Sequence, residues 1–125
     1  MYYFSSKKRI LIIDDDPHML RTMKTMLEGN YEVAIAPSGM KGIRMINKFN
    51  PDIILLDYDM PDMNGQETFA KIKEDEMYRH IPVMFLTGID DEQMARRVLK
   101  MIPAGYVLKP PVKSEIIKRI EAVLK

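Results

Sequence analysis

The sequence predicts an α/β fold, a doubly wound parallel sheet of five strands with helices packed on both faces. Two observations carry that expectation. Short apolar runs alternate with longer amphipathic segments along nearly the whole chain. The runs themselves are almost continuously apolar, as strands buried on both faces require, while the intervening segments repeat with helical period.

Each element follows in turn. Ile10-Leu11-Ile12-Ile13 reads as the first strand, and Asp16-Pro17 opens the first helix as N-cap and first helical position. Leu20, Met23 and Leu27 share one helical face, and Gly29 supplies a C-terminal stop. Val33-Ala34-Ile35-Ala36 is the second strand, at an edge of the sheet, and Ser38 caps a second helix that buries Ile43 and Ile46. The third run, Ile53-Ile54-Leu55-Leu56, ends abruptly at Asp57. Pro61, Asn64 and Gly65 make residues 58–65 a loop, after which a third helix carries Phe69 and Ile72. Val83-Met84-Phe85-Leu86 is the fourth strand and ends at Thr87-Gly88. Asp91 caps a fourth helix with Met94, Val98 and Leu99 turned inward. Tyr106-Val107-Leu108 is a short fifth strand ending at Lys109-Pro110-Pro111. Ser114 caps the last helix, whose Ile116, Ile117, Ile120, Val123 and Leu124 form a wide apolar stripe.

The 125 residues leave room for one domain with one core, residues 1–125, in which residues 1–8 form a weakly attached leader containing Tyr2, Tyr3 and Phe4. Hydrophobic residues at 46% and charged residues at 30% argue against disorder. A net charge of +1 gives no electrostatic reason to expect a nucleic-acid or membrane partner. No apolar stretch approaches the roughly 20 residues that span a bilayer, and Met1-Tyr2-Tyr3-Phe4 is too short for a signal peptide. Cysteine is absent, which removes disulfides, thiolate metal sites and cysteine nucleophiles together and is compatible with the cytoplasm. The 12 methionines read as adaptable core filling. His18 and His80 stand far apart without helical pairing and read as surface or loop residues rather than metal ligands.

Position gives the polar residues their meaning. In an open parallel sheet, ligands bind outside the carboxyl ends of the strands. Asp14-Asp15 follows the first strand, Asp57 the third, Thr87 the fourth and Lys109 the fifth. Singly, each has an ordinary reading as a cap, a turn residue or a solvated side chain, and Asp16 is only a cap. Together, three carboxylates at one sheet edge repel one another, and one lysine does not balance them. A divalent cation is the missing partner, and a hard, oxygen-only site suits Mg²⁺. A carboxylate in that setting can attack a phosphoryl group and form an acyl phosphate. Lys109 and the Thr87 hydroxyl would meet the charge spread over the equatorial oxygens, and Gly88 leaves room for close approach.

These residues resemble the receiver domains of two-component response regulators, of the chemotaxis-regulator type, over roughly residues 8–125. The match lies in Ile10-Leu11-Ile12-Ile13-Asp14-Asp15-Asp16-Pro17, Pro51-Asp52-Ile53-Ile54-Leu55-Leu56-Asp57, Met60-Pro61-Asp62-Met63-Asn64-Gly65, Ile81-Pro82-Val83 with Thr87-Gly88, and Tyr106-Val107-Leu108-Lys109-Pro110. Any one of these is weak; all of them in order are highly specific. The resemblance implies a flavodoxin-like sheet in strand order 2-1-3-4-5 with five helices. It implies that Asp57 is the phosphoacceptor, that Asp15 binds magnesium directly, and that Asp14 acts mainly through water. The backbone carbonyl of Asp59 would complete the coordination. Thr87 and Tyr106 would be the switch pair, and the Lys109–Pro110 peptide would be cis. The phosphodonor would be a histidine kinase or a histidine phosphotransfer protein. The fourth helix, fifth strand and fifth helix would form the output face towards an output partner or fused output domain. Such a domain is a cytoplasmic signalling phosphoprotein, not an enzyme, and assists only its own phosphorylation and dephosphorylation.

Four places depart from the family pattern. Met101-Ile102-Pro103-Ala104-Gly105 stands where a Gly-Ala pair is common, Pro111 replaces an aromatic residue, and Asp59 and Ile89 occupy positions that tune phosphoryl lifetime. Asp57-Tyr58-Asp59 also satisfies the nucleophile motif of haloacid-dehalogenase-like phosphatases. Those enzymes place the motif after the first strand and need a later acidic pair that the region of the fourth strand lacks. A receiver-like module that is never phosphorylated usually lacks the acceptor, an acid or the lysine, and all are present here. A flavodoxin-like cofactor domain shares the fold, but no Gly-rich phosphate loop follows the first strand.

Overall fold

A computed structural model describes residues 7–88 and 92–125, with the side chains of 92–95 excepted. The expectations for Tyr2, Tyr3, Phe4, Ile89, Asp91 and the Met94 side chain lie outside the described residues. Five parallel strands, β1 (Arg9–Ile13), β2 (Glu32–Ala36), β3 (Ile53–Asp57), β4 (Val83–Thr87) and β5 (Gly105–Leu108), form one sheet in the order β2-β1-β3-β4-β5. They alternate with α1 (Pro17–Leu27), α2 (Gly39–Phe49), α3 (Gly65–Glu74), α4 (Glu92–Lys100) and α5 (Lys113–Leu124). Parallel neighbours need crossover helices, and right-handed crossovers place successive helices on alternate faces as the winding reverses between β1 and β3.

The two-residue period of each strand sorts its apolar side chains into two cores. Ile10, Ile12, Ile53, Leu55, Met84, Leu86 and Val107 pack beneath Leu20, Met23 and Leu27 of α1 and Ile116 and Ile120 of α5. Leu11, Ile13, Ile54, Leu56, Val83 and Phe85 face Ile46, Phe69, Ile72 and Val98 of α2, α3 and α4. The three central strands are almost wholly buried, whereas β2 and β5, at the edges, are only partly so. Register keeps the strand tips level: Ile12 pairs with Leu55, Leu55 with Met84, and Leu86 with Val107. That levelling brings the residues after the strands to one edge.

Local chemistry fixes most helix ends. The Asp16 carboxylate accepts from the His18 amide ahead of Pro17, and Ser38 accepts from the Lys41 amide. Asn64 and Glu67 form a reciprocal capping box at the start of α3. Three expectations need correction. Gly29 does not stop α1: Glu28 is the C-cap in right-handed conformation, and none of the described glycines has a positive φ. The left-handed cap occurs instead at Asn50, with φ 58°, after α2. Leu99 is 58% exposed, because Val98 holds the inward position and the next residue turns about 100° away. Ser114 is the second residue of α5, whose N-cap is Val112; the Val112 carbonyl accepts from Ile116, and no side chain caps the end.

The turn after α4 also differs in kind. Ile102 has φ 53° and is 84% exposed, a left-handed conformation that a β-branched residue strongly disfavours. The methionines divide between roles: Met23 and Met84 fill core space, whereas Met40 and Met77 lie exposed. His18 and His80 are exposed, as expected. Among the described residues no helix is long and apolar enough to cross a membrane.

Candidate functional site

At the carboxyl ends of β1, β3, β4 and β5 lies a pocket of about 240 Å³ lined by Asp14, Asp15, Asp57, Thr87 and Lys109, with Asp16, Tyr58, Asp59 and Gly88 around it. It sits where the winding reverses, the crevice that an open α/β sheet leaves for ligands. The structure thus brings together Asp14, Asp15, Asp57, Thr87 and Lys109. Asp14 and Asp57 continue the alternation of Ile10-Ile12 and Ile53-Leu55, so both carboxylates emerge on the same side of the sheet.

Asp14 is fully buried, and each of its oxygens has a partner. Oδ1 accepts from the Asp16 amide at 2.9 Å and Oδ2 from Lys109 Nζ at 2.8 Å. Its own amide donates to the Ala36 carbonyl at 3.1 Å, prolonging the β1–β2 ladder by one rung. Asp57, 4% exposed, accepts from the same Lys109 Nζ through Oδ1 at 3.1 Å. One ammonium therefore ties together β1, β3 and the end of β5. The Lys109–Pro110 peptide is cis. Asp15 is exposed at the rim, and ligand atoms of Asp14, Asp15 and Asp57 all lie within 4.8 Å of one another.

Charge balance makes this arrangement costly without a cation. Three carboxylates face one ammonium, so the cluster carries a net charge of about −2 when ionised. Burial, followed by the neighbouring Asp14 charge, pushes the Asp57 carboxyl up to about 7 from 3.8; Lys109 offsets part of the rise and Asp15 adds to it. For Lys109, burial alone lowers the ammonium, but bonding and attraction from Asp14 and Asp57 outweigh it and raise the group overall. Oxygen-only donors, excess negative charge and an open pocket fit a hard divalent cation such as Mg²⁺.

Thr87 supplies a second unmet demand. Its Oγ1 is buried and has no hydrogen-bond partner, an unusual state for a hydroxyl that faces a polar pocket. A phosphoryl oxygen would satisfy it. Tyr106 is half-buried on β5, with the Arg119 guanidinium 5.4 Å from its ring centre. It pairs in register with Phe85, two residues before Thr87, so the two expected switch residues are near neighbours on adjacent strands.

Two features of the site leave almost no trace in the order of residues. Gly65 reads as a turn residue, yet a Cβ there would lie 2.4 Å from the Asp57 carbonyl oxygen and 2.7 Å from Tyr58 Cα. Glycine alone lets α3 begin against the Asp57–Tyr58 backbone, where its amide donates to the Tyr58 carbonyl at 2.9 Å. Tyr58 itself reads as loop, yet its ring is buried edge-on to Phe85 at 5.8 Å. The only hint of either is the Asn64-Gly65 pair directly before a helical run.

The chain matches the response regulator receiver domain family over residues 10–121. It is 31% identical over 120 residues to the sensor histidine kinase TmoS of Ectopseudomonas mendocina, a match that covers 96% of this chain and 12% of that protein. It is 30% identical over 118 residues to the chemotaxis protein CheY of Halobacterium salinarum, covering 94% of this chain and 97% of that one. The chain thus spans a small part of one curated relative and nearly all of another. Its fold aligns with the chemotaxis protein CheY4 of Vibrio cholerae at a TM-score of 0.87 and 23% identity, over 95% of this chain and 100% of the other, a likeness of fold alone. Family match, sheet order and strand-end pocket agree, and the chain belongs to the response regulator receiver domains.

Proposed function

We propose that residues 1–125 form one receiver domain that accepts a phosphoryl group on Asp57 from a histidine kinase or histidine phosphotransfer protein. Receiver domains are signalling phosphoacceptors of two-component systems that bind Mg²⁺ at an acidic pocket, and Asp14, Asp15 and Asp57 form such a cluster here. The observation that carries the reading is the joint geometry of Asp57 and its neighbours. A nearly buried carboxylate already held by Lys109 stands in one pocket with a buried, unpartnered Thr87 hydroxyl.

In the proposed reaction an Asp57 side-chain oxygen forms a bond to phosphorus while the bond to the donor's histidine nitrogen breaks. Lys109 moves part of its bonding from the Asp57 carboxylate to a phosphoryl oxygen, and the Thr87 hydroxyl donates to another. Asp15, Asp57 and the backbone carbonyl of Asp59 would hold Mg²⁺. Asp14, with both oxygens already engaged, would act through water. When bound, Mg²⁺ supplies the positive charge that lets carboxylate and phosphoryl group approach. Movement of Thr87 towards the phosphoryl group would leave space for Tyr106 to turn inward, altering the face made by α4, β5 and α5. The domain would act in the cytoplasm as a switch for an output protein or a fused output domain, without turnover of an external substrate.

Incubation with acetyl phosphate and Mg²⁺ should add one labile phosphate, seen as a mass increase and mapped to Asp57. If Asp57→Asn takes the label as well as the unaltered chain does, Asp57 is not the acceptor.

A further inference from the structure

Tyr58 and Asp59 line two hollows at once, the acceptor pocket and an open groove of about 690 Å³ between the β3–α3 loop and α4. The two therefore share a wall, made by these residues. The far wall of the groove is α4, where Arg97 and Lys100 lie three residues apart on one helical face. Both are exposed, and no ion pair joins either to another of the described residues. Among the described residues Asp59 is the one carboxylate lining the groove, so two cations stand against one anion in that lining. The adjoining pocket is negative, with the clustered carboxylates of Asp14, Asp15 and Asp57 against Lys109 and with Asp16 and Asp59 also in its lining. Opposite charge in adjoining hollows suits a transfer in which the acceptor takes phosphorus and an anion departs.

We infer that this groove is the subsite for the carboxylate leaving group of an acyl phosphate donor, with Arg97 and Lys100 as the cations that receive it. The inference rests on Asp57 being the acceptor. In the transfer, the Asp57 carboxylate oxygen forms its bond to phosphorus as the bond from phosphorus to the acyl oxygen breaks. The bonding pair leaves on the carboxylate, and no proton or further electron is exchanged. Charge on that oxygen grows on the way to the transition state, so cations placed there in advance lower the barrier as well as gather the donor. A phosphoramidate donor, protonated on nitrogen, releases neutral ammonia and makes no such demand.

The test compares labelling rates of the full chain with acetyl phosphate and with phosphoramidate, both with Mg²⁺, by mass spectrometry. The ratio of the two rates is insensitive to the fraction folded. In the double variant Arg97→Gln with Lys100→Gln the ratio should fall about fivefold or more. Arg97→Lys alone should keep most of it. Lys118→Gln, which removes a positive charge on α5 away from the groove, should leave the ratio at its original value. An unchanged ratio in the double variant, or a fall in both rates in equal proportion, overturns the subsite and leaves the acceptor reading standing. An unaltered chain that takes label from neither donor overturns the acceptor reading and the subsite with it.

Discussion

Replacing Asp57 with asparagine should stabilise the metal-free protein, by an amount that depends on pH. In the folded chain the Asp57 carboxyl titrates at about 7 instead of 3.8, because burial and the Asp14 charge disfavour its ionised form. The unfolded chain ionises Asp57 at the ordinary value. Between these two values the folded state therefore binds more protons, and wild-type stability falls as pH rises. Each tenfold change in proton affinity is worth about 1.4 kcal/mol, so the cost reaches about 4 kcal/mol at about pH 8 and is under about 2 kcal/mol at about pH 5. Asparagine keeps the shape and an acceptor for Lys109 but has no charge to suppress. The Lys109 attraction is already included in the displaced titration and does not need separate subtraction. Urea unfolding followed by circular dichroism, with a chelator present, should show Asp57→Asn gaining about 4 kcal/mol at the higher pH, or about 15 °C in midpoint. At the lower pH the gain should shrink by more than half. Equal gains at both values, or no gain at either, would refute the electrostatic account of the cluster.

Two further outcomes are expected. Mg²⁺ should raise the thermal midpoint of the unaltered protein by relieving the same repulsion, and Asp15→Ala should lose most of that response in a scanning-fluorescence titration. An undiminished response would place the metal elsewhere. Ile102→Gly should stabilise the domain by about 1 kcal/mol in denaturant unfolding, because glycine removes the left-handed strain at φ 53° while an 84% exposed side chain gives up little packing. A loss of stability would mean that the Ile102 side chain is held by contacts that outweigh the strain.

Much of the fold and the centre of the site could be read from residue order because both obey strong local rules. Ile10–Ile13, Ile53–Leu56 and Val83–Leu86 are apolar at every position, which only strands covered on both sides tolerate, and the polar residue that ends each run falls at the sheet edge. Asp14, Asp57, Thr87 and Lys109 were legible for that reason. What escaped depends on rotation and space rather than on sequence pattern. Leu99 and Val98 are both apolar, and only the phase of α4 against the sheet decides which is buried. Ser114 is a better capping residue than Val112, yet the chain enters α5 two residues too early to use it. The need for glycine at position 65 arises from the Asp57 carbonyl and Tyr58 backbone crossing its space. That Lys109 holds Asp14 as well as Asp57 is likewise a fact of three strands meeting, which no interval along the chain expresses.

The placement of the chemistry on strand tips has a consequence for how such a domain can be used. The residues that line the pocket follow the strand ends, and the two cores are sealed by the inner faces of the helices. Apart from the stretch of α4 that carries Arg97 and Lys100, the outer helical faces then owe nothing to either task. They are free to vary with whatever surrounds the domain, and this chain matches part of a long sensor kinase as well as almost the whole of a chemotaxis protein. About 30% identity to each, retained across such different lengths, is the degree of drift that this separation of duties permits.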